Sequence, residues 1–73
     1  MKTTKMSELE PNVQYYTDDW KDCIVTLEKY ENNTLFVKPV DPNKLGGYIV
    51  DENGLIQFPI DLADKLYYEF INV

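Results

Sequence analysis

Short apolar runs separated by turn-forming residues recur along the chain and predict β-strands. Residues 13–17, 23–30 and 35–40 are rich in β-branched and aromatic types, which favour strands. Between the last two runs, residues 31–34 contain two asparagines, which tolerate the positive φ of a tight hairpin turn. The pattern therefore predicts a long hairpin in the middle of the chain.

A second hairpin is predicted further along. Residues 48–50 and 55–58 are apolar runs, and the turn between them contains Asn53-Gly54, a strong short-range hairpin signal. Pro59 ends the returning strand. The tail has two interpretations. We expect one helical turn at residues 61–65 and then a strand at 66–71, while a terminal helix from residue 61 onward is the alternative.

The beginning of the chain is polar. Residues 1–7 hold two lysines and no acid, and we expect a flexible polar leader there. Ser7 and Glu10 have the spacing of a helix capping box, but Pro11 follows at once, which predicts only a short 3₁₀ turn. Residues 8–73 are then expected to form a single small β-barrel domain.

Five or six short strands at this spacing indicate a mostly-β fold. A chain of 73 residues is short for a two-sheet sandwich. A small, strongly bent barrel fits better, because closing the sheet also removes its exposed edges.

Two segments resemble small SH3-like β-barrel proteins of Firmicutes and their prophages. Residues 9–13, Leu-Glu-Pro-Asn-Val, are similar to the segment before the first strand of such barrels, with Asn12 where glycine is usual. Residues 48–58 resemble their distal hairpin. The resemblance implies a five- or six-stranded SH3-like barrel. It also implies that Tyr15, Tyr16, Trp20 and Tyr48 are candidates for an aromatic groove that accepts Pro-rich peptides.

Missing residue types narrow the chemistry. The chain has no histidine, one cysteine and seven cations that are all lysine. Zinc sites and Ser–His or Cys–His catalysis are therefore not expected within one chain. A net charge of −6 without arginine disfavours direct binding to nucleic acid. We expect neither an enzyme nor a bound cofactor or metal.

The composition of the chain also bears on its cellular location. No apolar run is long enough to cross a membrane, and residues 1–7 do not look like a signal peptide. With Cys23 as the lone cysteine, a reducing cytoplasm is the simplest compartment. The abundance of Lys, Asn, Ile and Tyr is typical of an AT-rich genome, such as that of a low-GC bacterium or its phage.

Acidic and aromatic residues define a candidate partner-binding surface. Trp20 lies in a polar loop, where it is either a lid on the core or an exposed binding anchor. The acids either attract a basic partner or only keep the surface soluble. The candidate residues are Tyr16, Asp18, Asp19, Trp20, Asp22, Tyr48, Asp51 and Glu52.

These observations favour a non-enzymatic protein-binding module, such as a phage or mobile-element accessory protein that binds or inhibits a host protein. The expected partner is a basic or nucleic-acid-handling protein. A small-ligand or ion-binding barrel and a self-associating structural component are the alternatives. A homodimer is a further expectation, because an unpaired C-terminal strand containing Phe70 would invite pairing.

Overall fold

A computed structural model describes residues 3–60 and 69–73, which form one antiparallel β-sheet. The strands, in chain order, are β1 (Thr3–Lys5), β2 (Gln14–Tyr16), β3 (Val25–Glu31), β4 (Thr34–Pro39), β5 (Ile56–Pro59) and β6 (Glu69–Asn72). Their order across the six-stranded sheet is β1-β6-β2-β3-β4-β5. The predicted mostly-β class is confirmed. Within the described residues β1 and β5 are the outermost strands and are not paired with each other, so the sheet is open there.

The central hairpin forms as predicted. Strands β3 and β4 pair up to Glu31 and Thr34, and Asn32 and Asn33 between them have φ values of 52° and 59°. A two-residue turn with positive φ at both positions matches the right-handed twist of the strands it joins. The asparagines therefore fix the register of the longest pair of strands in the sheet.

Strand β3 is bent by an extra residue. Leu27 pairs with Val37, but Lys29 pairs with Phe36, so Glu28 has no partner across the ladder. Such a β-bulge bends its strand and increases the local twist. Bends of this kind allow a sheet to curve around its buried face.

The core lies on that face and is rich in aromatic contacts. Phe70 packs edge-on against Tyr15 and Phe58, with ring centroids 6.3 and 5.5 Å apart. Strand β4 contributes Leu35 and Val37, both fully buried. Burial of each such side chain contributes about 1.5–3 kcal/mol, which matters in a domain with few core residues. Cys23 is also buried, as expected for a small apolar residue, and desolvation raises the pKa of its thiol.

The start of the chain differs from the expected flexible leader. Thr3–Lys5 is strand β1, which pairs with β6, and Met6 after it is fully buried in the core. The polar composition of this segment reflects an outer strand with two exposed residues out of three. A 3₁₀ turn, Met6–Glu8, follows, but it begins at Lys5 without a side-chain cap, so the predicted capping box does not form.

The predicted strand at residues 48–50 is not formed. The backbone N–H of Tyr48 donates to Leu45 O at 3.0 Å, which closes a turn instead of joining a ladder. Tyr48 and Val50 still face the core, while Ile49 between them is 86% exposed. The turn after this segment does form, because the N–H of Asp51 donates to Leu55 O and Gly54 has a φ of 77°.

The tail ends in an interior strand of the sheet, second from one edge. Glu69–Asn72 is β6, which pairs with β1 on one side and with β2 on the other. The alternative of a helix continuing through residues 69–72 is therefore wrong. The expectation that the C-terminal strand is an unpaired edge is also wrong. The predicted helical turn at residues 61–65 lies outside the described residues.

Candidate protein-binding surface

Trp20 lies at the tip of a loop that is closed by backbone hydrogen bonds. Its N–H donates to Thr17 O at 3.3 Å, and its carbonyl accepts from the N–H of Cys23 at 3.1 Å. Thr17 and Cys23 are both buried, so the two ends of the loop are anchored in the body of the protein. Trp20 itself remains 42% exposed. A rigidly anchored loop thus presents a large aromatic side chain to solvent.

The indole ring rests on the backbone of two consecutive glycines. A methyl group added at Gly46 would lie 2.8 Å from Cβ, Cγ and Cδ2 of Trp20. One added at Gly47 would fall against Cζ2 and lie 2.9 Å from Cη2. Carbon atoms do not approach so closely without something shifting, so only glycine fits beneath the ring at both positions. We call Gly46 and Gly47 the glycine shelf.

Tyr48 connects Trp20 to the core. Its ring meets the indole edge-on, with centroids 6.3 Å apart, and meets Phe58 in the same way at 5.2 Å. The Tyr48 hydroxyl and Thr17 Oγ1 share a hydrogen bond of 2.9 Å. The two predicted aromatic site residues Trp20 and Tyr48 are therefore in contact. Tyr48 is half-buried and contacts the indole from the side.

The loop that contains Trp20 also carries three exposed carboxylates. Asp18, Asp19 and Asp22 are all exposed, and within residues 3–60 and 69–73 their side chains make no ion pair. Lys21 lies in the same loop and is also exposed. The loop thus combines an apolar ring with a net negative charge, which favours encounter with a positively charged surface.

Asp51 accepts hydrogen bonds that stabilise the turn before β5. Its Oδ1 accepts from the N–H groups of Asn53 and Leu55 at 2.8 and 3.0 Å, and its Oδ2 accepts from Gln57 Nε2 at 2.8 Å. The hydrogen bond from Gln57, followed by the one from Leu55, lowers the pKa of the Asp51 carboxyl. One of its oxygens is engaged by the turn and the other by Gln57 of β5, whereas the neighbouring Glu52 is exposed.

Tyr16 is placed differently from the other aromatic candidates. It lies in β2, where it pairs with Ile71 of β6, and it is half-buried. The pair Trp20 and Tyr48 is the part of the predicted aromatic set that the structure brings together. Tyr15, also proposed for a groove, is buried against Phe70.

The glycine shelf is the element of the site that sequence reasoning missed. Gly46-Gly47 directly precedes residues 48–50, where the apolar pattern predicts a strand. Consecutive glycines in a chain with only three could have signalled close approach of a bulky group, since glycine marks places where another group nears the backbone.

A polar pocket of about 200 Å³ lies away from this loop. Its lining residues are Thr3, Thr4, Glu8, Glu10, Tyr15 and Asn72. Although the lining includes two carboxylates, the described part of the chain contains no group of three or more His, Cys, Asp or Glu side chains placed to hold a metal ion.

Comparisons with known proteins add no further assignment: no family model, curated protein or solved structure matches the chain. Over the described residues, the structure contains no helix with the length and apolar character needed to cross a membrane.

Proposed function

We propose that this protein is a non-enzymatic protein-binding module of the cytoplasm, and that it serves as a phage or mobile-element accessory protein that binds or inhibits a host protein. The observation that carries the proposal is the exposed indole of Trp20 on the glycine shelf. Tryptophan is among the residues most enriched at interface hot spots, because it buries a large area with few rotatable bonds.

Preorganisation strengthens this interpretation. A side chain that must be ordered on binding loses about 0.5–1.5 kcal/mol of conformational freedom. Trp20 is held from below by the glycine shelf and from the side by Tyr48, so much of that loss has already occurred in the free protein. The anchor is therefore ready to enter a pocket of a partner.

The charge of the loop indicates which partner to expect. Asp18, Asp19 and Asp22 flank the anchor, and the whole chain carries a net charge of −6. Complementary charges raise the association rate and disfavour partners of the same sign. A basic protein, including one that handles nucleic acid, is the partner this surface suits, with no direct contact to nucleic acid.

An SH3-like barrel is the architecture we propose for the complete domain. The bulge at Glu28 supports it, because bulges bend strands as small barrels require. Asn12 supports it as well, since its φ of 63° is the conformation for which the family usually has glycine at this position.

Affinity capture tests the function. The protein would be immobilised and exposed to lysate of a low-GC bacterium, alongside Trp20→Ala and Val40→Ala. Val40 is a second exposed apolar residue, outside the Trp20 loop, and serves as the matched control. We expect the unmodified protein and Val40→Ala to enrich the same basic protein, and Trp20→Ala to lose it. Recovery of nothing above background by the folded protein would contradict the proposal.

A small-ligand-binding barrel is the second candidate, and the polar pocket beside β1 is the observation that favours it. Thermal shift against nucleotides and divalent ions separates the two functions, because a ligand of the native state raises the unfolding midpoint. A midpoint raised by one of these ligands, and unaffected by Trp20→Ala, would favour this second function.

A further inference from the structure

Residues 3–10, which we call the strap, are attached to the body of the protein through long-range contacts. Strand β1 adds three residue pairs to the edge of β6, from Thr3↔Ile71 to Lys5↔Glu69. Met6 and Leu9 behind it are buried in the core. The strap therefore completes both the sheet and the core of a body that begins at β2.

Two tyrosine hydroxyls hold the strap at its far end. The Tyr30 hydroxyl donates to Met6 O and accepts from the N–H of Leu9, both at 2.9 Å. The Tyr15 hydroxyl accepts from the N–H of Glu10 at 3.1 Å. Backbone groups of the strap are thus satisfied by the body, and an identical strap from another molecule would be satisfied in the same way.

The connection between the strap and β2 is a tight turn. Pro11 and Asn12 are its central residues, and Asn12 has a φ of 63°, the pattern of a type II turn in which glycine is usual at the second position. The left-handed conformation costs free energy for any residue that carries a Cβ atom. Glycine adopts it without that cost. An extended connection would let Asn12 return to negative φ, and the position before proline already favours extended backbone.

We propose that two copies of this chain exchange straps, so that each strap completes the sheet and core of the other molecule and the turn at Pro11-Asn12 opens into a hinge. The exchanged dimer keeps every contact between strap and body and removes the left-handed residue at both hinges. Strained hinge turns favour such exchange in general. The proposal stands apart from the function of the Trp20 loop.

Two variants at Asn12 should shift the equilibrium between monomer and exchanged dimer in opposite directions. Asn12→Gly fits the tight turn and favours the monomer, whereas Asn12→Ala is strained there and favours the opened hinge. We expect the dimerisation constant of Asn12→Ala to exceed that of Asn12→Gly by about thirtyfold, which corresponds to about 1 kcal/mol at each hinge. Sedimentation equilibrium after refolding at high protein concentration measures both constants.

A cross-link distinguishes exchange from ordinary surface association. Lys5 and Glu69 are exposed and directly paired, at a spacing between strands that a disulfide can span. In the variant Lys5→Cys/Glu69→Cys, oxidation joins residues of one chain in the monomer but joins two chains in the exchanged dimer. Lys5→Cys alone is the control for chance cross-links.

The expected result is a covalent dimer on a non-reducing gel from the dimer fraction, and a covalently closed monomer from the monomer fraction. Two results would overturn the proposal. One is a dimer in which the bond between residues 5 and 69 remains within each chain. The other is a purely monomeric protein for all Asn12 variants at every concentration tested.

Discussion

Replacing Gly47 with alanine tests directly how Trp20 is held. Gly47 is not one of the glycines with positive φ, so its backbone accepts alanine, and the three atoms nearest to the added methyl all belong to the indole ring. Overpacking of this kind costs about 1–3 kcal/mol of stability. In a Trp20→Ala background the ring is gone, and the same substitution should be neutral or stabilise by up to about 1 kcal/mol through the unfolded state.

The two substitutions therefore form a double-mutant cycle with an expected coupling energy of about 2 kcal/mol. Urea unfolding followed by far-UV circular dichroism measures all four proteins, because that signal comes mainly from the backbone and each variant is fitted with its own baselines. Trp20 is the single tryptophan of the chain, so its fluorescence in Gly47→Ala reports whether the ring is displaced.

Gly54→Ala is the matched control. Gly54 has a φ of 77°, but a methyl group there would have no atom within 4 Å. Its substitution should destabilise through backbone strain alone, equally with and without Trp20. If Gly47→Ala and Trp20→Ala instead add to within about 0.5 kcal/mol, the indole does not rest on Gly47 and the account of the site is wrong.

Three further predictions concern hydrogen-bonded groups. Tyr30→Phe should destabilise by about 1–2 kcal/mol in urea unfolding, because Met6 O and the N–H of Leu9 lose their partner, and an unchanged midpoint would refute this. Burial raises the pKa of Tyr30 above its ordinary value of 10.0. The contribution of Tyr30 to the free energy of unfolding is therefore complete below pH 10.0 and is lost as the pH rises through the pKa of the folded state. Stability of Tyr30→Phe should fall less at alkaline pH than that of the unmodified protein. Hydrogen bonds lower the pKa of Asp51 below 3.8. The contribution of Asp51 to the free energy of unfolding is therefore present above pH 3.8 and is lost as the pH falls through the pKa of the folded state. Asp51→Asn should lose less stability in acid than the unmodified protein.

Local turn chemistry was the most predictable part of the fold. Asn32 and Asn33 adopt the positive φ that their residue type favours, and the hairpin they form has the expected position. The turn around Gly54 is equally local. In such segments the sequence and the structure agree, because a few neighbouring residues determine the conformation.

Long-range pairing was the least predictable part. Thr3–Lys5 is a strand because β6, at the opposite end of the chain, supplies its hydrogen bonds. Nothing in the polar composition of the segment indicates this. Residues 48–50 show the reverse error, since a short apolar run predicts a strand where the amide of Tyr48 is used in a turn.

The candidate site was predictable in its exposed members but not in its support. Trp20 and its flanking acids are evident from the sequence as an aromatic residue in a polar loop. The contact of the indole with the glycine shelf joins segments more than twenty residues apart, so no local pattern reveals it. Asp51 shows the opposite case, because a predicted binding carboxylate is engaged by the turn it belongs to.

The affinity of the captured partner for Trp20→Ala tests the central claim most directly. Calorimetric titration of the partner into the unmodified protein, Val40→Ala and Trp20→Ala gives the three dissociation constants. We predict a loss of at least about 2 kcal/mol, roughly thirtyfold, for Trp20→Ala and no change for Val40→Ala. Equal affinity of all three folded proteins would contradict the assignment of Trp20 as the binding anchor.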